Sequence, residues 1–210
     1  MKAGFALTDR SDSISSENGF TLMEFIISAA IFLVLTSGAF MTLAEIQQTA
    51  GFHSEIQAVL NNTRIAKETV ERHLRHAGND PMNIGLSGIT LVASDSVHIK
   101  SDLKGSLGTA APNRGDPDGD IHDHDENIIL RFNEASHSII IVPASGPPRI
   151  IANYISSFAA ELRDAENNPT VSLDDARTIA VSITGSSRTN DPRTGKAFSF
   201  TLSSVISLFS

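Results

Sequence analysis

Hydrophobic and polar positions divide this chain of 210 residues into three regimes. From Phe25 to Ala44 no charged residue occurs, while Glu24 stands at the front of the run and Glu45 closes it. At about 1.5 Å rise per residue this run makes a helix of roughly 30 Å, the thickness of a bilayer core. Beyond Ala44 the pattern turns one-sided. Ile46, Ala50, Ile56, Val59, Leu60, Thr63, Ala66, Val70, Leu74 and Ala77 recur mostly at three- and four-residue steps, which is one helical stripe. Gln47, Gln48, Glu55, Arg64, Lys67, Glu68, Glu71 and Arg72 fill the opposite face. Arg72, His73, Arg75 and His76 load the last turn, where cations complement the helix dipole, and Gly78-Asn79-Asp80-Pro81 supplies the stop. One helix from about Phe20 to about Ala77 is therefore predicted, apolar all round in its first half and amphipathic in its second.

After Pro81 the period changes to two. Ile89–Val92, Val97–Ile99, Asn127–Phe132, Ser138–Val142, Ile150–Phe158, Thr178–Ile183 and Phe198–Leu208 read as strands, with a hairpin across Asn133-Glu134-Ala135. Ser145-Gly146-Pro147-Pro148, Asn167-Asn168-Pro169 and Arg188–Lys196 read as loops. An antiparallel sheet packed on the amphipathic helix half uses both the stripe and the alternation, so the expected class is α+β. The first 18 residues are polar and Ser-rich without apolar periodicity, as in a leader or an arm outside the fold.

Composition narrows the function classes. Cysteine is absent, which excludes disulfides, thiol nucleophiles and Cys-based metal sites. The formal charge is −8, and the chain has no Trp and a single Tyr. An acidic head without aromatic platforms gives nucleic acid no electrostatic or stacking purchase. Catalysis finds no foothold either. No P-loop, dinucleotide-binding glycine pattern or His-x-x-x-His pair occurs, and Gly85-Leu86-Ser87-Gly88 is one residue short of a nucleophile elbow. The expectation is a protein that is not an enzyme.

Gly19-Phe20-Thr21-Leu22-Met23-Glu24 followed by an apolar helix resembles the processing signal of type IV pilins and type II secretion pseudopilins. The resemblance implies cleavage by a prepilin peptidase between Gly19 and Phe20, followed by N-methylation of Phe20. Glu24 would then be the fifth residue of the mature chain, the position that pairs with the N-terminal ammonium of a neighbouring subunit. Physical chemistry agrees with that role: a carboxylate is costly in lipid, and a cationic partner relieves the cost. The leader departs from the family's habit, being long, slightly acidic and ending in Glu17-Asn18-Gly19. Val70–Gly78 is similar to the helix end of PilW-type minor pilins, and the segment Glu126–Arg131 and the closing Leu202–Val205 also fit that subgroup. The resemblance implies residues 1–19 as leader, 20–44 as membrane and filament-core helix, 45–78 as amphipathic half and 79–210 as a β-rich periplasmic head. The implied partners are other pilin subunits, the peptidase, the pilus assembly machinery and, before assembly, the inner membrane. A J-type pseudopilin of type II secretion and a membrane-anchored periplasmic domain that binds Ca²⁺ or a partner are the alternative readings.

The pilin and pseudopilin readings require no cofactor, and Ca²⁺ is the one candidate ligand. One further stretch concentrates chemistry, the acidic loop from Asp116 to Glu126, and oxygen-rich loops suit Ca²⁺. Placing Gly119 at the sixth position of an EF-hand loop puts Asp116, Asp118 and Asp120 at ligand positions and Asp125 at the twelfth. The first position would be Arg114, which cannot ligate a cation. The other reading of the loop is a solvated turn held open by its like charges.

Overall fold

The computed structural model describes residues 20–104, 117–123 and 125–208. Helix α1 runs from Leu22 to His76, followed by β1 (Ile89–Ala93), β2 (Ser96–Lys100), β3 (Asn127–Asn133), β4 (Ser138–Pro143), β5 (Arg149–Asn153), β6 (Ile155–Arg163), β7 (Pro169–Thr170), β8 (Thr178–Asn190) and β9 (Ala197–Ser207). The chain divides between Gln47 and Gln48 into two units. In the first, α1 as far as Gln47 buries no side chain at all. It is, among the described residues, the one helix long and apolar enough to cross a membrane.

The second unit is an α+β head with two antiparallel sheets, ordered β1-β2-β3-β4-β5 and β7-β6-β8-β9. Period-two alternation supplies their apolar rows. In the first sheet Ile99 pairs with Ile128, and Val97 with Leu130, which in turn pairs with Ile141. In the second, Leu162 lies across from Ile179, which lies across from Ile206. These rows join Ala66, Val70, Leu74 and Ala77 of the helix end in one core. The helical stripe is confirmed from Val59 onward: Val59, Thr63, Ala66, Val70 and Leu74 are the buried positions of α1. Ile46, at the front of the predicted stripe, stays 58% exposed.

Two close backbone approaches seat the helix. A Cβ on Gly185 would lie 2.1 Å from Thr63 Oγ1 and 2.9 Å from Val59 Cγ1, so only glycine lets β8 come this near to α1. At the helix end Gly78 takes a φ of 77°, as a left-handed cap requires, and its N–H donates to Lys100 O at 2.9 Å. Gly88 meets it there: a Cβ on Gly88 would lie 2.3 Å from Gly78 N. Lower on the helix, Glu55 accepts from the N–H groups of Arg188 and Thr189 and from the Thr189 hydroxyl. Burial pushes the Glu55 carboxyl up, but these hydrogen bonds outweigh it and hold it below its ordinary value. The Arg188 guanidinium lies over the Tyr154 ring, 4.9 Å from its centre.

Three sequence expectations change. The single strand expected over Ile150–Phe158 is two strands, β5 and β6, which belong to different sheets. Tyr154 sits between them at a φ of 62°, a conformation that breaks a strand. The strand expected over Thr178–Ile183 continues to Asn190, because β9 pairs with it along most of its length. Pro169, expected in a loop, begins the short β7, which pairs with the end of β6. Its missing N–H is tolerated at a sheet edge.

Candidate functional site

The segment that the processing reading singles out begins at the helix N-terminus. Phe20 is 80% exposed, and Gly19 lies outside the described residues. Thr21 precedes the first helical residue, and its side chain and Glu24 form a reciprocal cap. The Glu24 N–H donates to Thr21 Oγ1 at 3.3 Å, while the Thr21 N–H and hydroxyl both donate to Glu24 Oε2 at 2.9 Å. This is the capping box, in which a Thr and a Glu three residues on satisfy helix-end groups that have no intrahelical partner. Glu24 therefore has a local structural function that the reading of it as an intersubunit partner left out.

Behind Glu24 the apolar run carries its hydroxyls at low cost. Thr36, Ser37 and Thr42 donate back to the carbonyls of Phe32, Leu33 and Gly38 at 2.7, 3.1 and 3.0 Å. With those groups satisfied inside the helix, its surface presents little but hydrocarbon. Phe32, Leu35, Ala39, Phe40 and Leu43 line a shallow apolar groove along one face. Such a surface is compatible both with lipid and with the side of another helix.

Among the described residues, the acidic loop brings Asp118 and Asp120 of the expected ligand set together with Asp123. Asp118, Asp120 and Asp123 each bring a carboxylate oxygen within 4.8 Å of the other two. Asp123 was not among the residues picked from the sequence; Asp125, which was, is hydrogen-bonded to the Arg149 guanidinium. Asp116 lies outside the described residues. Burial, with Asp118 and Asp120 nearby, pushes the Asp123 carboxyl above its ordinary value. Beneath the loop are two carboxylates outside the expected ligand set. Asp102 and Glu126 are both 0% exposed. Asp102 accepts from the N–H of Asp118 at 3.2 Å and of Gly119 at 2.9 Å. Glu126 accepts from Leu103 and Lys104, each at 2.7 Å, and from Asp123 at 3.2 Å. Acids are seldom fully buried unless paired, and here backbone N–H groups serve as the partners.

At the head end of α1, His73 differs from its expected part in the basic last turn. Burial lowers its pKa, and Arg72, Arg149 and His76 reinforce the effect against Asp125. Near neutral pH the dipole is therefore complemented by Arg72 and Arg75 and not by a His73 cation.

Residues 14–40 match the family described as the Prokaryotic N-terminal methylation motif. The matched stretch takes in Gly19, Phe20, Thr21 and Glu24 and ends inside the apolar run. It supports a type IV pilin-like or pseudopilin-like protein, and the apolar N-terminal helix is consistent with membrane anchoring. No curated protein matches the chain.

Proposed function

We propose that this chain is a minor pilin subunit that primes or enters a type IV pilus after processing between Gly19 and Phe20. The observation that carries the reading is the joint placement of a methylation motif over residues 14–40 and a carboxylate, Glu24, at the front of an uncharged apolar helix. The mechanism is assembly. Before processing, the helix lies in the inner membrane with the head in the periplasm. Afterwards its apolar surface exchanges lipid for neighbouring helices, and Glu24 meets the methylated ammonium of a neighbour's Phe20. A charged pair of this kind recovers the desolvation cost that either ion would bear alone in hydrocarbon. The head, with its two sheets, sets which subunits sit alongside.

Intact-mass and N-terminal peptide mass spectrometry of the protein from cells that carry a prepilin peptidase tests this. A mature chain that begins with N-methylated Phe20 is expected, and a peptidase-deficient strain should retain the full leader. An unprocessed N-terminus in both strains overturns the reading.

A further inference from the structure

Strand β9 closes the order β7-β6-β8-β9 and pairs with β8 alone. Two hydrogen bonds fix which of its residues face which way. The N–H of Leu208 donates to Arg177 O at 2.8 Å and that of Phe198 to Ser187 Oγ at 2.9 Å, so the even-numbered residues turn their backbone towards β8. By the alternation of an antiparallel pair, Ser199, Thr201, Ser203, Val205 and Ser207 turn theirs away from it. Among the described residues no hydrogen bond reaches those N–H groups. The opposite edge of the sheet is covered: β7 pairs with the end of β6, and the Ala160 N–H donates to Ser94 O at 2.8 Å. Natural proteins blunt long edges with charge, proline or a bulge. From Ala197 to Ser207 there is no charged residue and no proline, and Ser199–Ser207 pairs with β8 in unbroken register.

The side chains agree with the backbone. Phe198, Phe200 and Leu202 share the α1-facing row of buried Ile206, yet they are only half-buried. The apolar layer of this sheet is one strand short. We propose that the free edge of β9 docks one extended strand of a different subunit, in which apolar residues alternate with small polar ones. Such a strand continues the main-chain ladder, and its apolar residues cover Phe200 and Leu202. A second copy of this chain does not supply it. The other edge strands, β1, β5 and β7, have 5, 5 and 2 residues against 11 in β9. β9 itself runs in the direction of α1, since Phe198 borders a cavity with Phe52 and Ile56 while the Ser204 hydroxyl donates to Glu71. Two copies whose helices share a direction, a condition that rests on the pilin reading, can pair β9 with β9 only in parallel, the weaker arrangement.

The test is binding of a fluorescein-labelled peptide of the β8 sequence Thr178–Ser186, in which Ile179, Val181 and Ile183 alternate with small residues, to the full chain in detergent. Saturable binding is expected, and Thr201→Pro and Ser203→Pro should each weaken it at least about tenfold. Proline at these positions removes an N–H on the free side and spares the ladder with β8, so both variants should melt within a few degrees of wild type. Hydrogen exchange by NMR gives a readout that needs no substitution: the amides of Thr201 and Ser203 should exchange fast in the free chain and slowly with peptide bound. No binding, undiminished binding by both proline variants, or unchanged exchange overturns the docking edge. Sedimentation of the chain without peptide should show monomers. A dimer that either proline substitution dissolves overturns the assignment to a different subunit. The assay needs neither processing nor a filament, so its failure leaves the pilin reading to the mass spectrometry above.

Discussion

Glu24 Oε2 lies 2.9 Å from both the backbone nitrogen and the hydroxyl of Thr21, so the carboxylate at the front of the apolar helix is already engaged within its own chain. That contact separates two functions the sequence places on a single residue. As a cap, Glu24 satisfies the Thr21 N–H at the helix start, and any acceptor of similar reach serves. As an intersubunit partner, it must carry negative charge.

Glu24→Gln and Thr21→Ala therefore have opposite outcomes. Gln retains the capping-box acceptor and loses the charge. The Gln variant should be processed normally but enter filaments at least about tenfold less, a coupling of about 1.4 kcal/mol or more. Thr21→Ala removes the cap, loosening the first turn by about 1 kcal/mol, and should be incorporated at near wild-type levels. Immunoblots of sheared filaments against whole cells check both. Equal incorporation of Glu24→Gln and wild type would remove the pairing role and leave the cap.

How far the sequence carries is visible at particular residues. The helix and its stop follow from a long period and from Gly78, because a stripe of this length and a left-handed cap have strong local signatures. The division of the head into two sheets does not, since it depends on Tyr154 at a φ of 62°, and tyrosine gives no warning of that conformation. The burial of Asp102 and Glu126 was equally hidden. Their partners are backbone N–H groups, which every residue type but proline provides, so burial of an acid leaves no trace in residue pattern. Thr21-x-x-Glu24 was in plain view as a capping signature, but Glu24 also fits the processing motif, and the second reading obscures the first.

Gly185 tests the seating of helix on sheet. Gly185→Ala places a methyl group 2.1 Å from Thr63 Oγ1 and 2.9 Å from Val59 Cγ1, both on the buried face of α1. Overpacking at such a contact should destabilise the head by about 1–3 kcal/mol. Thr63→Ala in the same chain removes the nearer clash and should recover part of the loss, giving a non-additive double-mutant cycle in denaturant unfolding. Strict additivity would show that β8 does not approach α1 at this point.

His73 gives the head a pH dependence of definite sign. Its folded pKa is lowered by burial, so the unfolded chain binds the proton more readily. The stability it contributes is complete above the unfolded value of about 6.5 and declines as pH falls from there towards the folded pKa. Within that window the slope from this one group is at most about 1.4 kcal/mol per pH unit. Urea unfolding between pH 7.5 and 5 should show the decline, and His73→Gln should flatten it. A slope unchanged in the variant would assign the dependence to other groups.

Glu55 ties the far end of the β8–β9 hairpin to the helix, and its contribution falls with pH in the same sense as that of His73, although here the charged form is the one the fold favours. The carboxylate form accepts from the N–H groups of Arg188 and Thr189, and its pKa is lowered from the ordinary value of 4.5. A group shifted in this direction contributes stability above its unfolded pKa and loses it as pH falls through the folded one. Glu55→Ala should leave the core strands protected while hydrogen exchange at Arg188 and Thr189 accelerates roughly tenfold, the range for losing an ordinary hydrogen bond. Glu55→Gln keeps an acceptor oxygen and should retain part of that protection. Exchange at Ile179 and Val181, which are buried in the core, serves as the internal reference. Equal acceleration there would mean that Glu55 supports the whole head and is not a local tether.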